Sequence, residues 1–183
     1  MSFLTVFFAL LFYAATAVLV FGLAYRIYRF ASTPAPLKIP TTPAPVTHSG
    51  VALRMFREVV FFESLFKGTK WTWVFSWAFH MGMFLVLVRH LRYFTDPVWT
   101  PVALIQPIGI YAGFAMLLGL LGLWARRFLV DRVRYISAPS DHLMLILLLL
   151  IAASGRTMTF VAHTDIVALK EVFRGLTSCN WSS

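Results

Sequence analysis

Four long apolar runs dominate this sequence, and each is close to the length that a helix needs to cross a lipid bilayer. They cover about residues 3–25, 71–94, 102–124 and 142–162. A spanning α-helix needs roughly 20 apolar residues, whereas the strands of a membrane barrel have about 10 residues that alternate in polarity. Charged residues make up 13% of the chain, about half the share typical of soluble domains. The sequence therefore predicts an all-α integral membrane bundle with four transmembrane helices.

The positive charge is concentrated in two of the segments that connect these runs. The net charge is +9, and residues 26–70 and 126–134 carry seven and four Lys/Arg, together eleven of the sixteen. The positive-inside rule assigns such segments to the cytoplasm. The N-terminus is then expected on the outer, periplasmic side. This distribution favours contact with acidic membrane lipids and argues against a nucleic-acid partner.

The segment between the first two runs has two parts. Residues 34–46 contain five prolines, which is typical of an extended, polyproline-like linker. Residues 51–66 repeat apolar positions near the helical period with charges interspersed, which predicts an amphipathic helix at the cytoplasmic membrane surface. The same helix is equally compatible with a docking face for a cytoplasmic partner.

Two histidines inside the second run are the main candidate functional residues. An ionisable residue within a span is costly and usually functional. His80 and His90 are ten residues apart, which on one helix means about 15 Å of rise and roughly 80° of rotation. That spacing suits ligation of two haem irons, one near each leaflet, and is too long for one mononuclear metal. The alternative is a buried histidine that only hydrogen-bonds a backbone carbonyl on a neighbouring helix.

A bis-histidine haem needs a second ligand from elsewhere in the bundle. His163, at the outer end of the fourth run, is expected at the depth of His90 and is the better candidate partner. His48 lies in the polar linker region and is expected to be solvated. His142 follows an aspartate at the start of the fourth run, where helix capping is the expected role of the neighbourhood. No partner in this chain is apparent for His80.

Three arginines lie near the outer ends of the second and fourth runs. Guanidinium groups match carboxylates well, so Arg89 and Arg156 are candidates to bind the propionates of an outer haem. For Arg92, snorkelling to the lipid headgroups is at least as good an explanation. The single cysteine, Cys179, excludes an iron–sulfur cluster held by cysteines of this chain alone. No catalytic residue is predicted.

At these residues the sequence resembles a known family. The stretches FHMGMFLVLVRH, ARRFLVDRVR and SAPSDHLMLILLLL resemble the NarI-like membrane cytochrome b family, the gamma subunits of respiratory nitrate reductase. The stretches PAPLKIPTTPAP, REVVFFESLFKGTKWTW and AHTDIVALK are most similar to its DsrM branch, from the membrane complex associated with dissimilatory sulfite reductase. The resemblance covers about residues 1–176, which we expect to form one cytochrome b membrane domain, and residues 177–183 are an atypical tail.

The resemblance implies a bundle of five or six helices with two b-type haems. The second helix of the family gives one axial ligand to each haem, and His80 and His90 match those positions. The remaining ligands come from the region after the fourth span and from a further span. Because the likeness stops near residue 176, we expect this chain to be C-terminally truncated relative to the family.

The function implied is electron transfer between the quinone pool and a cytoplasmic iron–sulfur subunit that resembles a heterodisulfide reductase catalytic subunit. Such a chain would belong, with other membrane subunits, to a respiratory or sulfur-metabolism oxidoreductase complex in the bacterial inner membrane, and would not be catalytic alone. Two alternatives are a haem-free membrane anchor and a small transporter with a histidine proton relay. The spans contain no deep acidic residue that would favour the transporter.

Overall fold

The computed structural model describes residues 3–34, 45, 47–163 and 165–178, and this part of the chain contains helices and no strand. The predicted proline-rich linker at 34–46 and the tail at 177–183 lie largely outside these residues. The helices in the described part are α1 (Phe3–Ser32), α2 (His48–Phe61), α3 (Glu63–Gly68), α4 (Lys70–His90), α5 (Thr100–Leu129), α6 (Asp131–Ile136), α7 (Pro139–Phe160) and α8 (Ile166–Thr177). A 3₁₀ turn, Leu91–Tyr93, extends α4.

Four of these helices are long and apolar enough to cross a membrane: α1, α4 with its 3₁₀ turn, α5 and α7. The predicted all-α membrane architecture is thus confirmed. Two helices run further than their apolar runs, α1 to Ser32 and α5 to Leu129. Arginines occupy these extensions, and arginine is a good helix former whose side chain can reach polar surroundings from a helix end. A helix therefore does not have to stop where its apolar run stops.

The chain divides into two compact units, residues 1–44 with 172–183 and residues 45–171. In the first unit the hydroxyl of Tyr13 in α1 donates a hydrogen bond to the carbonyl of Leu176 at 2.6 Å. The rings of Phe12 and Phe173 meet edge to face, with centroids 6.0 Å apart. These contacts join α1 to the C-terminal half of α8.

The second unit is built around an antiparallel pair, α4 and α5. Two glycines allow the backbones to touch: a Cβ on Gly82 would lie 2.6 Å from the Ala112 carbonyl oxygen, and one on Gly119 would lie 2.7 Å from the Phe75 carbonyl oxygen. Small residues at such crossings give close packing between membrane helices. A small apolar core of Phe79, Leu120 and Ala152 joins α7 to this pair.

The amphipathic helix predicted over residues 51–66 is broken in the structure at Phe62. This residue has φ 52° and ψ 47°, in the left-handed region, and separates α2 from α3. The break has a local cause, because the Glu58 carboxylate turns across it and accepts hydrogen bonds from the Ser64 backbone N–H, at 3.1 Å, and from the Ser64 hydroxyl. The first turn of α3 is therefore satisfied by a side chain of α2.

The connection from α5 through α6 to α7 is polar and ordered. Arg127 Nη1 binds the Ser137 hydroxyl at 2.9 Å and the Asp141 carboxylate at 3.1 Å. The same carboxylate accepts from the backbone N–H of Ala138 at 3.1 Å, which caps the N-terminus of α7 as the sequence indicated.

Candidate functional site

His80 lies in the middle of α4, and its ring is held on three sides. Nδ1 lies 2.7 Å from the carbonyl oxygen of Ser76, one turn earlier. The ring meets Phe62 edge to face at a centroid distance of 5.0 Å, and Phe79 at 4.7 Å. Because a carbonyl can only accept, Nδ1 must carry the proton in a neutral ring. The lone pair is then on Nε2.

His90, the last residue of α4, repeats this arrangement. Its Nδ1 lies 2.6 Å from the carbonyl oxygen of Val86, and its ring lies 5.7 Å from that of Tyr93. Both histidines are exposed on the surface of their unit. In the described part of the chain no hydrogen bond is made to Nε2 of either ring. One unbroken helix carries both, so the ten-residue spacing corresponds to about 15 Å along its axis.

A histidine that binds a metal through Nε2 commonly donates its Nδ1 proton to a backbone carbonyl or carboxylate, which fixes the tautomer and the ring orientation. His80 and His90 both have that arrangement. An unpaired Nε2 in hydrocarbon is unfavourable by about 1–3 kcal/mol, because a buried acceptor without a donor loses its hydration. A ligand on Nε2 would remove that cost.

His163 follows α7 and is exposed, with a left-handed backbone at φ 45°. Its Nδ1 lies 3.1 Å from the carbonyl oxygen of Val161, so Nε2 again has the lone pair. α7 and α4 both pack on α5, and their C-terminal ends lie toward the same end of the unit. No ring contact or hydrogen bond joins His163 to His90 among the described residues.

His142 differs from the other three in its hydrogen bonding. The indole N–H of Trp124 donates to its Nδ1 at 3.3 Å, and the Phe128 ring lies 5.1 Å away. Nδ1 is therefore the acceptor, and a neutral ring must carry its proton on Nε2. As placed, His142 offers no free lone pair. His48 is the exposed first residue of α2.

Arg156 crosses from α7 to α5 at the end of the unit that carries His90. Its Nη1 donates to the Ile110 carbonyl at 2.8 Å, and its Cζ lies 5.0 Å and 5.3 Å from the ring centres of Phe114 and Phe160. The guanidinium occupies the space where Gly113 has no side chain, since a Cβ there would lie 2.7 Å from Cζ.

The Arg89 side chain packs against a second glycine, Gly109, on the same face of α5. A Cβ on Gly109 would lie 2.5 Å from Cδ of Arg89. Arg89 and Arg156 thus lie against glycines one turn apart on α5, and Arg92 follows Arg89 by three residues, so the three guanidinium groups belong to one end of the bundle. Arg92 Nη1 donates to the side-chain oxygen of Gln106 at 2.7 Å.

This arginine cluster, defined as Arg89, Arg92 and Arg156, has no carboxylate within 4.0 Å in the described part of the chain. Asp96, in the segment that follows α4, lies 3.6 Å from Nζ of Lys170. Like charges in proximity repel one another, and apolar surroundings strengthen that repulsion.

Sequence reasoning named Arg89 and Arg156 but did not connect them with the two glycines against which they lie. Gly109 and Gly113 are four residues apart, so they share one face of α5, and that spacing was the available signal. Sequence reasoning also missed Phe62, because nothing local marks a phenylalanine as the end of a helix.

These features define a class of protein: a multi-pass helical membrane protein with histidines inside one span and basic groups at the end of the bundle. Residues 63–179 of this chain match the family described as "Nitrate reductase gamma subunit". The chain belongs to this family, and the NarI-like resemblance is confirmed. No solved structure shows a significant match.

Two curated relatives are archaeal. The chain is 36% identical to the "Hdr-like menaquinol oxidoreductase cytochrome b-like subunit" of Archaeoglobus fulgidus, with 92% of this chain and 63% of the relative covered. It is 31% identical to the protein of the same name from Archaeoglobus profundus, with 86% and 60% covered. The chain therefore spans less than two thirds of the length of these relatives.

Proposed function

We propose that this chain is a haem b-carrying membrane subunit that transfers electrons between the quinone pool and a cytoplasmic iron–sulfur partner. The observation that carries the proposal is the matched pair on α4. His80 and His90 each commit Nδ1 to a carbonyl of their own helix and keep Nε2 available. Two ligand-ready imidazoles about 15 Å apart along one span suit two redox centres on opposite sides of the bilayer.

The residues present fit b-type haem. His80 and His90 would each ligate one iron through Nε2, and His163 is the proposed second ligand on the His90 side. Arg89 and Arg156 would bind propionates, because their cluster lacks a carboxylate among the described residues. Haem, when bound, supplies one-electron redox chemistry, while the protein sets its position and potential.

The quinone and the partners are proposed from the relatives. Their names describe cytochrome b-like subunits of menaquinol oxidoreductases, which supports a quinol as the electron donor or a quinone as the acceptor. The word "Hdr-like" in those names supports, as further proposals, other membrane subunits and an iron–sulfur subunit of the heterodisulfide reductase type. On the resemblance to the DsrM branch alone, we propose that the chain serves a respiratory or sulfur-metabolism complex. We further propose an inner-membrane location with a periplasmic N-terminus, on the distribution of positive charge.

The test is to purify the chain in mild detergent and record reduced-minus-oxidised visible spectra with pyridine haemochrome stoichiometry. We expect a b-type α-band, and we expect His80→Ala and His90→Ala to remove different haems. His142→Ala is the matched control, since its Nδ1 is already engaged by Trp124, and it should retain both. A folded wild-type sample without haem would refute the proposal and favour a haem-free membrane anchor.

A further inference from the structure

The joint between α2 and α3 places one aromatic ring directly against His80. Phe62, at the centre of this joint, is the residue with φ 52° and ψ 47°. The left-handed region is unfavourable for a residue with a bulky side chain, and such a conformation persists only where the surroundings determine it. An observed outlier of this kind is a reason to ask what its side chain does.

Side-chain bonds across the joint hold this backbone. Glu58 of α2 binds the backbone N–H and the hydroxyl of Ser64 in α3. Arg57 of α2 pairs with Glu63 of α3 at 2.7 Å. Rotation of the Phe62 backbone toward the ordinary helical region would break these contacts.

α4 holds the same joint from the other side. The indole N–H of Trp73 donates to the carbonyl of Phe61 at 2.6 Å, and that of Trp77 donates to the carbonyl of Val60 at 3.1 Å. These are carbonyls of the last turn of α2, which have no partner within the helix. Trp77 lies three residues before His80, so both project from neighbouring positions on α4. The end of α2 is thus fixed beside the histidine.

These contacts fix the orientation of the His80 imidazole plane. Phe62 meets the His80 ring at 87° and 5.0 Å, and Phe79 meets it at 71° and 4.7 Å. The hydrogen bond from Nδ1 to the carbonyl oxygen of Ser76 is the third contact that restrains the ring. At His90 the corresponding aromatic contact is the looser one to Tyr93, at 53° and 5.7 Å.

We propose that Phe62 is a positioning residue for His80, which sets the plane of the imidazole and thereby the properties of the iron that it ligates. This inference rests on the proposed function for its consequence at the haem. Partners that orient a ligand tune the metal, so a change at Phe62 acts on the His80 centre without touching the iron.

The variants that test this are Phe62→Asn, which tolerates the left-handed backbone but lacks the ring, and Phe62→Tyr, which keeps the ring. In the purified chain we expect Phe62→Asn to retain haem, to broaden or shift the EPR signal of the His80 haem, and to shift its midpoint potential. The His90 haem is the internal control and should not change. Phe62→Tyr should restore the wild-type line. Unchanged line shape and potential in haem-loaded Phe62→Asn would overturn the proposal.

A second measurement needs no haem. Solid-state NMR of protein labelled with ¹³C,¹⁵N-histidine reports motion of the His80 ring, assigned by the loss of its signal in His80→Gln. We expect an ordered ring in the wild type and in Phe62→Tyr, and a mobile ring in Phe62→Asn. An equally ordered ring in Phe62→Asn would refute the positioning role. Absence of haem from the wild type, with the NMR difference present, would refute the proposed function and leave the positioning role intact.

Discussion

Arg156 of α7 donates a hydrogen bond from Nη1 to the backbone carbonyl of Ile110 in α5, at 2.8 Å. The carbonyl has a second lone pair beyond the one used in its own helix, so the bond forms without breaking α5. The rings of Phe114 and Phe160 lie beside the guanidinium, with their centres 5.0 Å and 5.3 Å from Cζ. A charge in an apolar span is costly unless it is satisfied in this way. The residue therefore connects two helices as well as presenting positive charge.

Replacement of Arg156 by glutamine should destabilise the second unit. The shorter side chain loses the charge-assisted bond to Ile110, a kind of contact typically worth about 1.5–3 kcal/mol. Thermal unfolding in detergent, followed by circular dichroism, measures the loss. Arg132→Gln is the control, because Arg132 is exposed on α6, and it should stay within about 0.5 kcal/mol of wild type. Equal stability of the two variants would contradict the helix-connecting role.

Gly119→Ala should separate α4 from α5. The new Cβ would lie 2.7 Å from both the Phe75 carbonyl oxygen and the Phe79 backbone nitrogen, and backbone atoms cannot move aside cheaply. Overpacking of this kind costs about 1–3 kcal/mol. Gly155→Ala, where a Cβ would meet nothing within 4 Å, is the matched control and should be neutral or slightly stabilising. Denaturant titration of the two variants in one detergent compares them, and a similar loss in both would contradict the close approach.

Much of this architecture could be predicted from the sequence because the bilayer imposes strong rules. The length and polarity of the apolar runs are enough to locate α1, α4, α5 and α7. A histidine within an apolar helix is likewise recognisable from sequence as a candidate functional residue. The break at Phe62 could not be predicted, since the helical periodicity continues across it without glycine or proline. It depends on Glu58 reaching Ser64, a contact that exists only once the chain has turned.

The arginine cluster was only half predictable for a similar reason. The residue types indicated anion binding, but the sequence cannot say whether a long side chain points to lipid headgroups or across a helix. That choice depends on how α5 is rotated. The rotation turns Gly109 and Gly113 toward Arg89 and Arg156.

The α2–α3 joint should loosen at acidic pH. A hydrogen bond from Lys67, together with the nearby charge of Arg57, lowers the pKa of Glu63 below its ordinary value. A carboxylate with a lowered folded-state pKa stabilises the fold above its unfolded pKa, about 4.3. That contribution is lost as the pH falls through the folded-state pKa.

The measurement is the thermal midpoint between pH 6 and pH 3. Glu63→Gln should lower the midpoint at pH 6, leave it nearly unchanged at pH 3, and so flatten the profile. Glu171→Gln, at an exposed position of α8, should keep the wild-type slope. High salt should reduce the difference, because the Lys67 side chain of the Lys67–Glu63 pair is 70% exposed and its charge is open to screening. A Glu63→Gln profile parallel to the wild type would exclude the ion pairs as its source.

Trp124→Phe should weaken the start of α7 without loss of haem. The change keeps an aromatic ring and removes the donor to His142 Nδ1, a neutral hydrogen bond worth about 0.5–1.5 kcal/mol. The unfolding midpoint should fall accordingly while the pyridine haemochrome value stays at the wild-type level. Loss of haem in this variant, at unchanged stability, would instead indicate that His142 is a ligand whose tautomer the indole controls.

Arg89→Gln should weaken the haem held by His90 and leave that held by His80 in place. Arg89 belongs to the three-guanidinium cluster at the His90 end of the bundle, which has no carboxylate partner among the described residues, so an anionic propionate would relieve its repulsion. Removal of one charge-assisted contact of about 1.5–3 kcal/mol corresponds to a roughly 10- to 150-fold weaker hold on the haem.

Haem loss to a scavenger such as apomyoglobin measures that hold, with the two haems distinguished by their midpoint potentials. Arg54→Gln, on an exposed position of α2, is the charge-matched control and should release both haems at the wild-type rate. Faster loss of the His80 haem, or of both haems equally, would contradict a propionate contact at Arg89. The position of the three arginines would then be explained by helix packing at Gly109 and Gly113 and not by haem binding.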